Sequence, residues 1–332
     1  METMGLTALV TGGTGFIGSN LIKELLEKNW IVYALVRKNS SLGYKRLKGV
    51  KNIKYIYVEE LFKHNYKELD EVALDNEDIA KTLPQFDICF HLAAYGVDYR
   101  QQNVNELIDG NIKFTLDVLN FCKDNKTKKV INTGSCFEYG LNEGKKINEE
   151  DKLNPHSLYG SAKASSVIMA NAYSEKNNIP LVTVRPFGIF GENEGLHKFV
   201  PQLMKAVILN ENMEMTSGEQ VRDYLYIKDL AEAYIAIALT DLPLYEAYNV
   251  CSGEEVKIKD LAIKVAEIAN DSLKSFNLGA VPYRKNEVMH FVGDNSKIKK
   301  YTKWEPKYNL QQGLKRTYEW YKVNWRKYNE SV

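Results

Sequence analysis

A glycine-rich run near the start of the chain constrains the fold more than any other sequence feature. The run, Gly12–Gly18, contains four glycines and follows a short apolar stretch, Leu6–Thr11, that is typical of a buried strand. After it, Phe16–Lys28 carries apolar side chains at helical spacing, and a second apolar stretch, Ile31–Val36, predicts another strand. A strand, a helix and a strand in this order predict a β-α-β unit, and such units build parallel sheets.

Predicted strands and helices go on alternating through the first half of the chain. The further strands are expected at Ile53–Val58, Asp87–Leu92, Lys129–Thr133 and Leu181–Arg185, the long helices at Val104–Lys123 and Leu158–Lys176, and less regular helices within 59–84. After Arg185, loops and shorter elements predominate. We therefore predict an α/β fold with a doubly wound parallel sheet over 1–185, a return segment near 222–250, and a smaller, mixed C-terminal substrate lobe over 186–330.

The glycine-rich run has the spacing G-x-x-G-x-x-G, formed by Gly12, Gly15 and Gly18. Glycine lets the backbone turn tightly and approach a pyrophosphate, and free N–H groups at the start of the following helix attract its negative charge. Phe16 and Ile17 open that helix, so their backbone belongs to the same site. A strand, a glycine loop and a helix in this order predict a dinucleotide-binding fold of the Rossmann type.

The residues after the second strand bear on which dinucleotide is bound. A carboxylate at this place normally holds the ribose hydroxyl groups of NAD. This chain has Arg37 and Lys38 there, and a guanidinium group can hold a ribose 2′-phosphate by two hydrogen bonds. We therefore expect NADP(H), with NAD(H) as the alternative if both cations are ordinary surface residues.

Three polar residues predict a catalytic group. Tyr159 and Lys163 are four residues apart at the start of a predicted helix, so both side chains lie on one face. A nearby ammonium group lowers the pKa of a phenol, which can then exchange a proton with an alcohol or carbonyl oxygen. Ser135 follows the strand Lys129–Thr133, at the sheet edge where open α/β folds bind ligands. We expect its hydroxyl group to hold the substrate oxygen beside Tyr159.

Taken together, these motifs resemble the extended short-chain dehydrogenase/reductase family. The matching features are the glycine loop, His91–Ala94, Asn111, Ser135 four residues before Tyr139, and the pair Tyr159 and Lys163. In that family a nicotinamide cofactor handles the hydride while the Ser-Tyr-Lys group handles the proton. The resemblance implies cofactor contacts from Tyr159, Lys163, Leu92, Ala93, Ala94, Thr133 and Pro186, and a substrate contact from Tyr95.

The second half of the chain resembles the sugar-nucleotide branch of the same family. Gly218–Tyr224 is similar to a G-x-Q-x-R-D-F/Y segment whose arginine contacts the phosphates of the ligand. By this resemblance Arg222 contacts the phosphates, Arg284 the nucleotide, and Lys198 the phosphates or the sugar. Two arginines and a lysine suit a diphosphate chemically. The expected partner is a nucleotide-diphosphate sugar.

The resemblance leaves several reactions open. Sugar-nucleotide 4,6-dehydratases carry an Asp-Glu pair after the catalytic hydroxyl group, where this chain has Cys136 and Phe137, so dehydration is disfavoured. Glu138, one position further on, is expected to point elsewhere. We expect NADPH-dependent reduction of the C4 keto group of a nucleotide-diphosphate 4-keto-6-deoxy sugar, with an NAD-dependent 4-epimerase as the alternative. The complete Tyr-Lys pair disfavours an NADP-sensing regulatory protein, and the two arginines disfavour a reductase of a non-nucleotide ketone.

Composition narrows the range of partners. The chain has 44 Lys and Arg against 43 Asp and Glu, a net charge of +1, which favours neither nucleic acid nor an anionic membrane. Its first residues run into a strand without a basic and apolar leader, so a cytoplasmic location is expected. The four cysteines lack C-x-x-C spacing, and we expect free thiols and no metal site. By the family resemblance, the helices Val104–Lys123 and Leu158–Lys176 form a four-helix seam in a homodimer.

Overall fold

The computed structural model of the chain describes residues 5–38, 45–62, 80–140, 144–285 and 287–329, with the backbone alone for 326–329. Of the segment 59–84, where less regular helices are expected, residues 63–79 lie outside the described part. The chain divides into two compact units. The first comprises Met1–Glu138, Pro155–Arg185 and Tyr234–Tyr248, and the second comprises Tyr139–Asn154, Pro186–Ala233 and Asn249–Val332.

Within the described residues the main sheet has seven strands. Six are β1 (Thr7–Thr11), β2 (Ile31–Val36), β3 (Ile53–Tyr57), β4 (Ile88–His91), β5 (Lys129–Thr133) and β6 (Leu181–Pro186), and the seventh is the edge strand Ala247–Val250. From that edge the order is β6, β5, β4, β1, β2, β3, and these six strands run parallel. The order reverses between β1 and β4, the kind of switch point where open α/β sheets bind ligands. The predicted doubly wound parallel sheet is confirmed.

Helices flank the strands along the whole chain. They are α1 (Phe16–Glu27), α2 (Val58–Leu61), α3 (Val104–Leu107), α4 (Phe114–Asp124), α5 (Leu158–Lys176), α6 (Phe199–Leu209), α7 (Ile227–Leu239), α8 (Ile258–Ala269), α9 (Ser296–Thr302) and α10 (Leu310–Asn329). A buried apolar cluster joins the sheet to α4 and α5. Its members include Leu9, Cys89, Phe114, Val118, Val130, Ala170 and Leu181. Burial of these side chains fixes both helices against one face of the sheet.

The helix expected at Val104–Lys123 is not continuous. A π-helix, Ile108–Lys113, separates α3 from α4. Its wider turn alters the i to i+4 bonding, and the carbonyl oxygen of Asn111 accepts hydrogen bonds from the hydroxyl groups of Thr115 (2.5 Å) and Ser166 (2.8 Å). Since Ser166 lies on α5, this interruption depends on a contact between distant parts of the chain. Helical periodicity in the sequence does not predict such a contact.

The segment Tyr234–Tyr248 belongs to the first unit, in part because polar contacts tie it to β5. The Lys129 ammonium group donates to the carbonyl oxygens of Thr240 (2.6 Å) and Ala238 (3.2 Å) at the C-terminal end of α7. Carbonyl groups at a helix end lack partners within the helix, and a lysine there satisfies them. The segment that returns to the first unit is therefore shorter than the expected 222–250.

The second unit combines the remaining helices with three small sheets. Val221–Arg222 pairs antiparallel with Val256–Lys257 and parallel with His290–Phe291, Ile189–Phe190 pairs with Leu225–Tyr226, and Met213–Met215 pairs with Phe276–Leu278. This is the mixed C-terminal lobe expected from the loss of regular alternation after Arg185.

One segment of the expected first domain lies in the second unit. Tyr139–Asn154 was placed by sequence within 1–185, but the Tyr139 hydroxyl group donates to the side-chain oxygen of Asn249 (2.8 Å). The backbone N–H of Asn249 donates in turn to the Glu149 carboxylate (2.7 Å). These contacts join residues about a hundred positions apart, so no local sequence pattern predicts them.

None of the helices in the described part of the chain combines the length and apolar character needed to span a bilayer.

Candidate active site

The glycine loop closes against the end of the neighbouring strand. The N–H of Gly15 donates to the carbonyl oxygen of Gly12 (2.9 Å), and Gly12 adopts a φ of +65°. A Cβ atom at Gly12 would lie 2.8 Å from the backbone nitrogen of Ala93, and one at Gly18 would overlap the carbonyl oxygen of Gly12. Both positions therefore need glycine for space, and Gly12 needs it for its backbone conformation as well.

The other side of the loop faces the open start of α1. The helix begins at Phe16, followed by Ile17, and its N-cap residue Gly15 makes no side-chain hydrogen bond. No acidic residue lies in the first turn. A Cβ atom at Gly15 would meet only the Gly12 carbonyl oxygen, at 3.1 Å. Free N–H groups, a positive helix end and open space suit a pyrophosphate, so the loop fits a dinucleotide.

Positively and negatively charged side chains lie together at the end of β2. The Lys38 ammonium group forms an ion pair with Glu60 (2.9 Å), and its backbone N–H donates to the carboxylate of Glu59 (3.2 Å). A hydrogen bond with Glu60 raises the pKa of Lys38. Arg37 is exposed. The residues at the end of β2 itself include no acid, but α2 brings two glutamates to this place from the end of the next strand.

A hydroxyl group at the end of β1 holds the segment after β4. Thr11 Oγ1 accepts hydrogen bonds from the backbone N–H groups of Leu92 and Ala93, both at 3.1 Å. With its acceptor positions occupied, the Thr11 hydroxyl donates its own proton to Nδ1 of His91 (2.8 Å). The backbone of two residues implied as cofactor contacts is thereby fixed beside the glycine loop, and the next residue, Ala94, is exposed.

The neutral His91 side chain continues this chain of hydrogen bonds toward the π-helix. Since Nδ1 accepts, Nε2 carries the proton and donates to the Thr115 hydroxyl group (2.9 Å), which donates to the Asn111 carbonyl oxygen (2.5 Å). Burial, with a smaller effect of the Lys163 charge, lowers the pKa of His91 to about 3. The ring is therefore neutral at physiological pH, and its role is to hold the sheet edge in place.

The catalytic candidates meet at the carboxyl ends of β5 and the start of α5. The side chain of Ser157 caps α5 by accepting from the N–H of Gly160 (3.0 Å), and Tyr159 is the second residue of that helix. The Ser135 side chain forms a hydrogen bond with the Tyr159 hydroxyl group. Lys163 lies one turn further along α5 and is buried. The spacing predicted this arrangement.

The acidity of the pair differs from the sequence expectation. Burial raises the pKa of Tyr159 above its ordinary value, and the hydrogen bond from Ser135 offsets only part of this effect. Burial also lowers the pKa of Lys163 to about 8. Because both groups lose hydration, the neutral form of each is favoured. The phenol of this structure therefore holds its proton more firmly than a free tyrosine does.

Glu138 is the residue of the site that sequence reasoning missed. Its Oε1 accepts from the backbone N–H of Ser135 (2.6 Å), and its Oε2 accepts from Nε of Arg185 (2.8 Å). Both side chains are almost fully buried. Glu138 was expected to point away, yet its carboxylate lies behind Ser135. Its charge adds to the effect of burial on the pKa of Tyr159 and partly offsets the burial that lowers the pKa of Lys163. The signal available in the sequence was an arginine, Arg185, at the end of the adjacent strand.

Phe137 projects from the same short turn into solvent. The turn Cys136–Glu138 is a 3-10 helix in which Cys136 and Glu138 are buried, whereas Phe137 is 55% exposed. Its ring lies edge-on to the ring of Tyr159, with the centroids 6.3 Å apart and the planes at 72°. Its N–H donates to the Ser135 hydroxyl oxygen (3.2 Å).

Two residues implied by the family resemblance flank this group in the first unit. The Thr133 and Tyr234 hydroxyl groups lie 2.8 Å apart. The backbone of Tyr95 is bracketed by Asn111, whose side-chain amide donates to the Tyr95 carbonyl oxygen (2.9 Å) and accepts from the Tyr95 N–H (3.3 Å). The Tyr95 hydroxyl group bonds Glu106, which raises the pKa of the phenol. The sixth strand ends at Pro186, which is buried.

The cationic residues assigned to the substrate lie in the second unit. Arg222 forms an ion pair with Glu287 (2.8 Å), and the N–H of Glu287 donates to the carbonyl oxygen of Arg284 (3.1 Å). Arg222 and the Arg284 segment are therefore neighbours. Lys198 is the N-cap residue of α6, and its charge acts on the buried Glu194, whose pKa burial raises to about 8.

Comparisons with known proteins agree with this geometry. A sequence model described as GDP-mannose 4,6 dehydratase matches residues 9–317. The human dTDP-D-glucose 4,6-dehydratase is 26% identical over 328 residues, 95% of this chain and 90% of that protein. The CDP-abequose synthase of Salmonella typhimurium is 24% identical over 311 residues, 92% of this chain and 95% of that protein.

A solved structure agrees in fold. The dTDP-glucose 4,6-dehydratase of Bacillus anthracis, in complex with NAD, has a TM-score of 0.82 at 22% identity, covering 98% of this chain and 100% of that one. The family model spans most of the sequence, so the resemblance drawn from the motifs is confirmed. The chain belongs to the GDP-mannose 4,6-dehydratase family, a nucleotide-sugar branch of the extended short-chain dehydrogenase/reductase enzymes.

Proposed function

We propose that this protein reduces the C4 keto group of a nucleotide-diphosphate 4-keto-6-deoxy sugar with NADPH. The observation that carries the proposal is the hydrogen-bonded pair of Ser135 and Tyr159, one helical turn from the buried ammonium group of Lys163. By the family resemblance, Cys136 and Phe137 replace the two acids of the dehydratases. The site is therefore equipped to handle the oxygen at the reacting carbon, not to remove a hydroxyl group from its neighbour.

The side chains suit proton donation in the reductive direction. When bound, a reduced nicotinamide supplies the hydride. Tyr159 gives its hydroxyl proton to the oxygen that becomes an alkoxide, and Ser135 holds that oxygen by a hydrogen bond. Because burial keeps the pKa of Tyr159 high, the hydroxyl group is protonated at neutral pH, as a proton donor must be. The positive charge of Lys163 stabilises the phenolate that remains.

The preference for NADPH is assigned to Arg37, whose exposed guanidinium group suits a ribose 2′-phosphate. Lys38 contributes less, because Glu60 engages its ammonium group. The carboxylates of Glu59 and Glu60 at the same place favour the second candidate, an NAD-dependent 4-epimerase that holds ribose hydroxyl groups. The remaining proposed cofactor contacts are Leu92, Ala93, Ala94, Thr133 and Pro186.

The nucleotide-diphosphate part of the substrate is assigned to the cations of the second unit. Arg222 and Lys198 supply positive charge for the phosphates, and Arg284 for the nucleotide. Tyr95 is proposed to contact the sugar. The relatives described above are named for sugars linked to dTDP or CDP, and this chain is proposed to use a ligand of the same class.

The exposed apolar surface and the buried thiols support a proposed assembly and a proposed location. Apolar side chains of the first unit, Val104, Ile108, Ile168 and Met169, are exposed on α3, the π-helix and α5. We propose that a second copy of the chain covers them in a homodimer. The four cysteines are all buried free thiols, which suits the proposed cytoplasmic location.

The test is a set of 4-keto-6-deoxy sugars on different nucleoside diphosphates, incubated with NADPH and followed by nicotinamide absorbance. We expect oxidation with at least one sugar, and a roughly 10²–10⁴-fold lower rate for Tyr159→Phe because the proton donor is lost. Tyr173→Phe, on the same helix, is the matched control and should retain activity. Interconversion of nucleotide sugars without net NADPH oxidation would identify the epimerase. A fully active Tyr159→Phe would contradict the assigned chemistry.

A further inference from the structure

The backbone of Phe137 is held in place beside the proposed catalytic hydroxyl groups. Its N–H is held by the Ser135 hydroxyl oxygen (3.2 Å). Its carbonyl oxygen lies against Gly160, where a Cβ atom would come within 2.5 Å. The residues on both sides of it, Cys136 and Glu138, are buried. The backbone therefore cannot swing the ring away without breaking the turn that carries Ser135.

This ring presents an apolar surface next to the reacting centre. Phe137 is 55% exposed and lies edge-on to Tyr159, with the ring centroids 6.3 Å apart. A substrate oxygen that is hydrogen-bonded to both Ser135 and Tyr159 holds its carbon, the reacting one, at this site. The neighbouring carbons of the sugar ring then lie only one bond further away. A group on one of these carbons is then within reach of the phenyl face.

We propose that Phe137 determines substrate specificity by selecting sugars that carry an apolar group on a carbon neighbouring the reacting one. This inference rests on the proposed function and names the chemistry that the site prefers. A methyl or methylene group removes apolar surface of the ring from water, whereas a hydroxyl group there loses hydrogen bonds to water without a partner on the ring. The two possible sources are the methyl group of a 6-deoxy sugar and the methylene group of a 3-deoxy sugar.

The charged residues around the turn agree with this assignment. A hydroxyl or carboxylate substituent at this place would need a hydrogen-bonding partner, and the carboxylate of the same turn, Glu138, is committed to the Ser135 N–H (2.6 Å) and to Arg185 (2.8 Å). The Cys136 thiol is buried. The part of the turn that faces solvent is therefore hydrocarbon.

The test compares binding of nucleotide sugars that carry a C4 hydroxyl group, in matched pairs, measured by calorimetry with NADPH present so that neither sugar nor cofactor can react. One pair differs only at C6, as in galactose and fucose on the same nucleoside diphosphate. The other pair differs only at C3, as a 3-hydroxy and a 3-deoxy sugar. We expect the deoxy member of one pair to bind about tenfold or more tightly, a size typical of a single apolar contact. The pair that shows the preference identifies the source of the apolar group.

Two variants assign the preference to the ring. Phe137→Asn should reduce it to about threefold or less by weakening the deoxy sugar, while Phe137→Leu, which keeps an apolar surface, should retain most of it. Since the side chain is exposed, both variants should melt within a few degrees of the wild type. An undiminished preference in Phe137→Asn, or equal binding within both pairs by the wild type, overturns the inference. Failure of the wild type to bind any nucleotide sugar would instead overturn the proposed function.

Discussion

At the residue scale, the position of Ser135 depends on a buried charge. The Glu138 carboxylate accepts from the Ser135 N–H and is itself held by Arg185. A charge in such a place is tolerated only when it is paired and hydrogen-bonded. The pair therefore anchors the turn that carries Ser135, although neither side chain is assigned a contact with the substrate.

Glu138→Gln should destabilise the protein and misplace Ser135. The variant removes the negative charge that balances Arg185 in a buried site, so the free energy of unfolding should fall by about 3–5 kcal/mol. Denaturant titration measures this change. The control Glu150→Gln alters an exposed carboxylate and should change stability by less than about 0.5 kcal/mol. Equal stabilities of the two variants would show that the ion pair does not anchor the turn.

The reductase reaction should slow as the pH rises through about 8. Burial lowers the pKa of Lys163 to about 8, so its positive charge is present below that pH and is lost above it. Tyr159 then lacks the charge that stabilises its phenolate. The pH dependence of kcat/KM reports groups of the free enzyme and should show this alkaline limb. Lys163→Met should abolish the limb and lower the rate throughout. A wild-type plateau that extends to about pH 10 is incompatible with this role.

Local spacing predicted part of this group and missed the rest. The i, i+4 relation places Tyr159 and Lys163 on one helix face, and a strand end places Ser135 near them. The carboxylate behind Ser135 was not predictable, since the partner of Glu138 is 47 residues away. The pKa of Tyr159 was expected to fall because of the neighbouring ammonium group. Burial, which residue spacing does not reveal, has the larger effect and raises it.

At the scale of elements, the π-helix links the end of β4 to α5 and to the backbone of Tyr95. The carbonyl oxygen of Asn111 accepts from Thr115 and Ser166, while its side chain brackets the backbone of Tyr95. A regular helix would direct the Asn111 carbonyl along the helix axis to its own i+4 partner. The irregular turn is thus stabilised by hydroxyl groups, and its Asn111 side chain holds the backbone of Tyr95.

Asn111→Ala should loosen Tyr95 and weaken substrate binding. The variant leaves the partly buried backbone groups of Tyr95 without their amide partner, which costs about 1–3 kcal/mol. We expect a raised KM for the sugar nucleotide and a lower melting temperature. Asn105→Ala, an exposed position of α3, is the matched control and should leave both quantities near wild type. If Asn111→Ala changes neither the KM nor the melting temperature, the hydrogen bonds between Asn111 and Tyr95 do not support substrate binding or stability.

Strand positions were more predictable than helix continuity. The expected strand Lys129–Thr133 matches β5 at both ends, because short apolar runs between turn signals have few alternatives. The expected helix Val104–Lys123 instead contains a π-helix. The carbonyl oxygen of Asn111 in this π-helix accepts from a hydroxyl group on α5, a tertiary contact of the kind that overrides a local preference.

At the scale of the whole molecule, alternation of strands and helices predicted the parallel sheet, but not which segments join which unit. Tyr139–Asn154 follows β5 in sequence and yet lies in the second unit, because Tyr139 bonds Asn249. Such a contact is specified by two side chains 110 residues apart. Hydrophobic periodicity indicates which face of a single helix or strand is buried. It does not indicate which distant side chains are in contact.

The proposed homodimer predicts a mass of roughly twice the 38.0 kDa chain in light scattering at micromolar concentration. Ile168 is 58% exposed on α5, and Ile168→Glu should shift the protein toward the monomer because a charge would be buried without a partner. Val323→Glu replaces another exposed apolar side chain, on α10, and should leave the mass unchanged. A wild-type mass of one chain would rule out the dimer under these conditions.

Transfer of deuterium from cofactor to sugar tests the central claim most directly. The protein is incubated with NADPH carrying deuterium at the transferred position and with the 4-keto-6-deoxy nucleotide sugar that it reduces fastest, and the product is examined by NMR. Hydride delivery to the carbonyl carbon, with the proton supplied by Tyr159, predicts one deuterium at C4 of the sugar. Formation of product without deuterium at C4, or with deuterium at another carbon, would contradict the account.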